Sequence, residues 1–100
     1  MTTFVYYFIP EDREEESKMN VFMIYKPYKE VRIKDIKENF PVPGDYYFRF
    51  KFEFNGKNVW IDFNNAEAQL PQFDQKIIMK VTRLSWNSKE ENNKNIFGDM

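Results

Sequence analysis

A chain of 100 residues with 15 basic and 16 acidic side chains is expected to form one domain, with no general attraction to nucleic acid or anionic lipid. It has neither cysteine nor histidine, which excludes disulfides, thiolate metal sites and the commonest general base and metal ligand. No apolar run reaches the roughly 18 residues that cross a bilayer, and the start lacks a basic signal region, so we expect a cytoplasmic protein without a metal or cofactor.

The first part of the chain predicts two paired strands. Residues 2–10, TTFVYYFIP, form a strand with two apolar faces, so it should lie inside a sheet. Residues 11–20 are acidic and should form a solvated connection. Residues 21–27, VFMIYKP, form a second strand, and the short link favours antiparallel pairing with the first.

A change of period then predicts a short helix in residues 31–40. Ile33, Ile36 and Phe40 recur at helical spacing, and the following PVPG cannot continue the helix. No Ser, Thr, Asp or Asn directly precedes Ile33, which indicates a poor N-terminal cap.

The second part predicts three more strands. Residues 45–54 alternate clearly, and the turn at Asn55-Gly56 reverses the chain into a strand near residues 57–63. A loop at 64–75 leads to the last strand at 76–84. The side chains expected to face the core are Tyr46, Phe48, Phe50, Phe52, Phe54, Val59, Ile61 and Phe63, with Leu70 and Phe73 of the loop closing the sheet.

The predicted order is β-β-α-β-β-β. One short helix laid across a mixed sheet of about five strands is the α+β ubiquitin-like roll. We expect this domain to span residues 1–86, and the polar segment 87–100 to be disordered.

No pattern in the chain predicts catalysis. Glu14, Glu15 and Glu16 lie in a charged connection, where a solvated surface is the simplest interpretation. Nothing places two carboxylates in one pocket with separated pKa values, and there is no glycine-rich phosphate loop or metal-ligand spacing. An enzyme is therefore not expected.

A nucleic-acid platform is an alternative suggested by YYFRFKF, which interleaves aromatic residues with Arg49 and Lys51. Alternation assigns most of these rings to the core and leaves Tyr47 outside. One exposed ring and a balanced charge favour weak binding at most.

The second and fourth predicted strands each have apolar side chains on the face turned away from the core. These are Val21, Met23 and Tyr25 on one strand and Trp60 on the other. Such edges invite pairing with another chain. The alternatives are that a loop or the region around Trp86 covers them, or that one register is shifted by a residue.

The segment LPQFDQKIIMKV (70–81) resembles the end of the DIX domain shared by Axin and Dishevelled, and four further segments agree with it in order. FVYYF resembles the first strand of Axin's domain, VRIKDIKENF the helix, YYFRFKFE the third strand and GKNVWIDF the fourth. The resemblance covers about residues 2–84 and implies the ubiquitin-like fold.

The resemblance also implies head-to-tail polymerisation, in which the second strand of one copy pairs with the fourth strand of the next. The implied tail residues are Asn20, Val21, Met23 and Tyr25, joined by Gln72, and the implied head residues are Ile36, Asn58, Val59, Trp60 and Asp62. Trp60 would be inserted into the next subunit. Where Axin and Dishevelled have basic or large polar residues, this chain has Trp60 and Met23, so the contact should depend less on salt.

Two functional classes therefore remain open. One is a self-polymerising scaffold module with itself, and other DIX domains, as partners, serving signalling or cell polarity. The other is a monomeric ubiquitin-like module that binds a foreign peptide strand or single-stranded nucleic acid.

Overall fold

A computed structural model describes residues 1–63, 65–73 and 76–85. Its regular elements are, in chain order, β1 (Thr3–Phe8), β2 (Asn20–Ile24), α1 (Ile33–Asn39), β3 (Asp45–Phe54), β4 (Lys57–Ile61) and β5 (Ile77–Ser85), with 3-10 turns at Pro10–Asp12 and Tyr28–Glu30. The predicted order is confirmed, with some element ends displaced by one to three residues. The segment 87–100, predicted to be disordered, lies outside the described residues.

The five strands form one mixed sheet in the order β2-β1-β5-β3-β4. β1 pairs antiparallel with β2 and parallel with β5, and β3 pairs antiparallel with both β5 and β4. The β3–β4 hairpin turns at Asn55 and Gly56, whose φ angles of 52° and 77° are those the Asn-Gly pair tolerates. The fold is the predicted α+β ubiquitin-like arrangement.

The core lies between α1 and one face of the sheet, called the inner face below. Alternate residues of the two middle strands β1 and β5 point into it, including Val5, Ile77 and Met79, all with 0% exposure. The helix contributes the predicted stripe, with Ile33 and Ile36 buried and Phe40 packed edge-on 4.9 Å from the rings of Tyr7 and Tyr46. The side chains that alternate along the strands and those at helical spacing in α1 therefore pack together in one core.

The alternation predicts that the core extends to the end of β3, but the core stops short of it. Phe50 is buried, but Phe54 has 59% of its surface exposed, so the prediction for Phe54 is wrong. The reason is length: a seven-residue helix spans about 10 Å, whereas the ten residues of β3 span about 33 Å. The helix cannot cover the hairpin end of the strand.

The start of α1 is held by a carboxylate inside its first turn. Arg32, at the N-cap, provides no side-chain cap, as predicted, but Asp35 accepts a hydrogen bond from the Arg32 backbone N–H at 2.9 Å. The same buried carboxylate accepts a 2.9 Å hydrogen bond from Lys26 Nζ. Burial by itself would raise the pKa of Asp35, but these two hydrogen bonds outweigh it and hold the pKa below its usual value. Asp35 thus joins the helix to the chain that follows β2.

We expect Asp35→Asn to lower the free energy of unfolding by about 2 kcal/mol at neutral pH, because hydrogen bonds to a charged group are lost. A carboxyl with a depressed folded pKa contributes its stability above its unfolded pKa, near 3.8, and loses it as pH falls through the folded value. The difference in the free energy of unfolding between the native chain and the variant should therefore shrink below about pH 4. Urea unfolding at several pH values measures it.

The matched control is Glu38→Gln, which removes an exposed carboxylate from the same helix. It should change stability by less than about 0.5 kcal/mol. An Asp35→Asn variant as stable as this control at pH 7 would contradict the role given to Asp35.

Candidate functional site

The sheet has two edge strands, β2 and β4, at its opposite ends. Each is five residues long, and each pairs on one side only within the described part of the chain. An edge strand carries a row of backbone N–H and C=O groups that can pair with a further strand. The two strands that the sequence singles out for their apolar faces are therefore the two ends of the sheet.

On β2 the tail residues predicted from the sequence form an exposed row. Val21, Met23 and Tyr25 are 51%, 46% and 77% exposed, and Asn20 is exposed beside them. Ile24, by contrast, is buried in the core. The alternation therefore predicts the faces of β2 correctly, and no described segment covers this row.

Phe4 extends the same apolar surface and was missed by the sequence reasoning. It lies on β1 directly opposite Met23 and is 50% exposed, although both faces of this strand were expected to be covered. Phe4 and Met23 point to the side of the sheet away from α1, called the outer face below. The alternation could have identified Phe4, because it lies between Thr3 and Val5, which are buried, and therefore points to the opposite face of the sheet.

On β4 the predicted head residues have different degrees of exposure. Asn58 and Asp62 are exposed, whereas Val59 is half-buried on the inner-face side of the strand. Trp60 lies on the outer face, directly opposite Lys51 of β3, and is half-buried rather than freely exposed. The region around Trp86, one of the covers considered from the sequence, lies outside the described residues.

Trp60 is covered by side chains of its own sheet. Its ring packs edge-on against that of Phe8, with centroids 5.9 Å apart. Lys80 Nζ lies 4.9 Å from the centre of the Trp60 ring and Lys51 Nζ lies 6.0 Å from it. Such cation–ring contacts are attractive, so the indole has a defined position across the outer face.

Two residues implied by the resemblance take other positions. Ile36 is completely enclosed in the core, which corrects the expectation that it belongs to the head, because the stripe that makes α1 amphipathic faces the sheet. Gln72 is half-buried in the segment before β5, a strand that β1 separates from β2. The exposed rows are therefore built mainly from the two edge strands.

The acidic connection between β1 and β2 is attached to the sheet rather than free in solvent. Glu14 accepts hydrogen bonds from the Ile9 backbone N–H at 2.9 Å and from Asn20 Nδ2 at 2.8 Å. Glu16 forms an ion pair with Lys51 on the outer face. Since Asn20 begins β2, these contacts also fix where the exposed row of β2 starts.

Arg49 and Lys51, the two basic residues on which the nucleic-acid interpretation depends, are each paired with a carboxylate, which weakens that interpretation. Arg49 pairs with Asp62 at 3.1 Å and lies over the Tyr47 ring at 5.3 Å. The hydrogen bond from the Tyr47 hydroxyl to Asp62 also raises the pKa of Tyr47. Cations that already pair with carboxylates, as Arg49 and Lys51 do, gain little from neutralising phosphates.

Within the part of the chain that the structure describes, no group of three or more acidic side chains is placed to hold a metal ion. Among the described helices, none is long and apolar enough to span a membrane.

A small α+β domain with a ubiquitin-like sheet and two unpaired apolar edges is typical of a protein-interaction module. Residues 1–81 match the DIX domain family, and the chain belongs to that family. Its members are interaction domains rather than enzymes, and they associate with themselves and with other DIX domains. No curated protein matches the chain.

In dilute solution we expect the outward-pointing backbone amides of β2 and β4 to exchange hydrogen nearly as fast as unprotected amides, because they have no strand partner. Amides of β5, which is paired on both sides, should exchange far more slowly. Hydrogen exchange followed by NMR measures both groups in one sample, and β5 is the internal control. Equal protection of β4 and β5 at the lowest concentration would mean that another part of the chain covers the edge.

Proposed function

We propose that the chain is a scaffold module that polymerises head to tail, with β2 of one copy (the tail) pairing with β4 of the next (the head). The observation that carries the proposal is that the exposed apolar row of β2 and the partly exposed Trp60 of β4 lie on the two opposite edge strands of one sheet. The tail comprises Asn20, Val21, Met23 and Tyr25, and the head comprises Asn58, Val59, Trp60 and Asp62.

The strand directions are compatible with a continuous sheet through the polymer. β1, β5 and β4 run in one direction, and β2 and β3 run in the other. A second copy shifted along the sheet, with its helix on the same side, therefore brings β2 antiparallel to β4. Antiparallel pairing gives main-chain hydrogen bonds, and alternate side chains give selectivity.

The head and the tail also have equal numbers of side chains on the outer face of the sheet. Three residues of the head, Asn58, Trp60 and Asp62, face outward, and so do three of the tail, Val21, Met23 and Tyr25. Aligning the two sets antiparallel puts Trp60 opposite Met23, with a polar head residue on each side. The centre of the contact is then apolar and its ends are polar, as in other specific interfaces.

The contact should be small and weak. A strand of five residues is about 17 Å long, so the buried area is expected to be about 1,000 Å² or less and the affinity roughly micromolar. Because head and tail are different surfaces, each added copy leaves one of each free, and growth continues. Assembly would then follow local concentration in the cytoplasm, and many linked copies would bind a signalling or polarity partner with high avidity.

We expect Trp60→Glu and Met23→Glu each to abolish growth, because either one places a charge at the centre of the contact, where apolar side chains would meet. Mixed together, the two variants should form a 1:1 dimer through the one intact head and the one intact tail. Trp60→Glu should remain folded, since Lys51 lies opposite it and Lys80 is close. Light scattering after size exclusion, run across protein concentration, measures the mass.

The control is Leu84→Glu, which changes an apolar residue of β5 that is 64% exposed but lies on neither edge strand. Its mass should rise with concentration as that of the native chain does. A native chain that stays near 12.3 kDa at every concentration would overturn the proposal and favour a monomeric module that binds a foreign strand.

A further inference from the structure

An apolar corner of the outer face stays open after the edge strands are paired. Phe4 lies on β1, directly behind Met23 of β2 as seen from the edge, and is 50% exposed. A strand added to β2 places its side chains against Val21 and Met23, one strand away from Phe4. Only a long side chain leaning inward from the added strand can reach it.

Trp60 has the required length and already leans across strands in its own sheet. β4 and β1 are separated by β3 and β5, a distance of roughly 14 Å at the usual strand spacing. The rings of Trp60 and Phe8 nevertheless meet at 5.9 Å, so the two side chains lean toward each other over the intervening strands. In a paired edge, β4 and β1 of the next copy would be only roughly 10 Å apart.

We propose that Trp60 changes its aromatic partner on assembly, from Phe8 of its own chain to Phe4 of the next copy. This inference rests on the proposed head-to-tail contact, which places Trp60 opposite Met23 and therefore in line with Phe4. The occupant of the open corner at Phe4 is thus the tryptophan of a second copy. The small area of a five-residue strand pair makes such an added aromatic contact important to the affinity.

The two contacts of Trp60 then compete. Phe8 and Lys80 stabilise the indole on its own sheet, so they favour the free chain, whereas Phe4 favours the assembled one. An aromatic edge contact changes an equilibrium about 2- to 12-fold. Phe4→Ala should therefore weaken self-association by a factor in this range, and Phe8→Leu should strengthen it by a similar factor.

The experiment uses a Trp86→Phe chain, in which Trp60 is the only tryptophan. Dissociation constants are measured by sedimentation for this chain, for its Phe4→Ala and Phe8→Leu variants, and for Lys80→Gln. Lys80→Gln removes the cation from the indole without opening the packing at Phe8 and should also strengthen association. The emission of Trp60 should shift as the chain assembles, and the shift should be smaller with Phe4→Ala.

A Trp60→Leu background is the control, because there neither Phe4→Ala nor Phe8→Leu should alter the association constant by more than about twofold. If the Trp86→Phe chain associates but Phe4→Ala and Phe8→Leu leave its dissociation constant unchanged, the proposed change of aromatic partner is wrong. The proposed head-to-tail contact would not be affected by that result. Weaker association of both Phe8→Leu and Lys80→Gln would also overturn the change of partner, because Trp60 would then contribute to association while it is packed against Phe8. A Trp86→Phe chain and a native chain that both stay monomeric would overturn the head-to-tail contact itself.

Discussion

The short helix α1 sets the limit on which the rest of the described structure depends. Its seven residues span about 10 Å, and a sheet of five strands is about 19 Å across. It can therefore bury the middle of one face and no more. The outer face, the hairpin end of β3 and both edge strands must be stabilised in other ways or remain open to solvent.

In the part of the chain that the structure describes, charged and aromatic side chains of the sheet itself cover much of the outer face. Lys51 connects Glu16 of the acidic segment to the region around Trp60, and Arg49 connects Asp62 to Tyr47. These contacts shield apolar rings with the stems of long cationic side chains and leave the charged groups near water. The acidic segment thus has a structural role, since its carboxylates balance cations that would otherwise face one another across the sheet.

Across residues 1–63, 65–73 and 76–85, no further strand pairs with either edge of the sheet. A soluble protein usually protects such strands with charge, proline or a bulge. Here β2 keeps an exposed apolar row, and β4 keeps a tryptophan that is only partly covered. DIX domains associate with one another, and under the head-to-tail contact that we propose one edge is the partner of the other. A contact between unlike edges limits association to one geometry, which an unspecific apolar patch would not do.

The sequence by itself determined the element order, the hairpin at Asn55-Gly56 and the outward row of β2, because alternation, helical spacing and turn chemistry depend on neighbouring residues. The tertiary structure decided that Phe54 and Phe4 are exposed and that Trp60 packs against Phe8. Periodicity assigns a residue to a face, but it does not show how far the helix reaches over that face or which side chains meet across two intervening strands. Those outcomes depend on strand order and side-chain length, which are set only when the whole sheet is assembled.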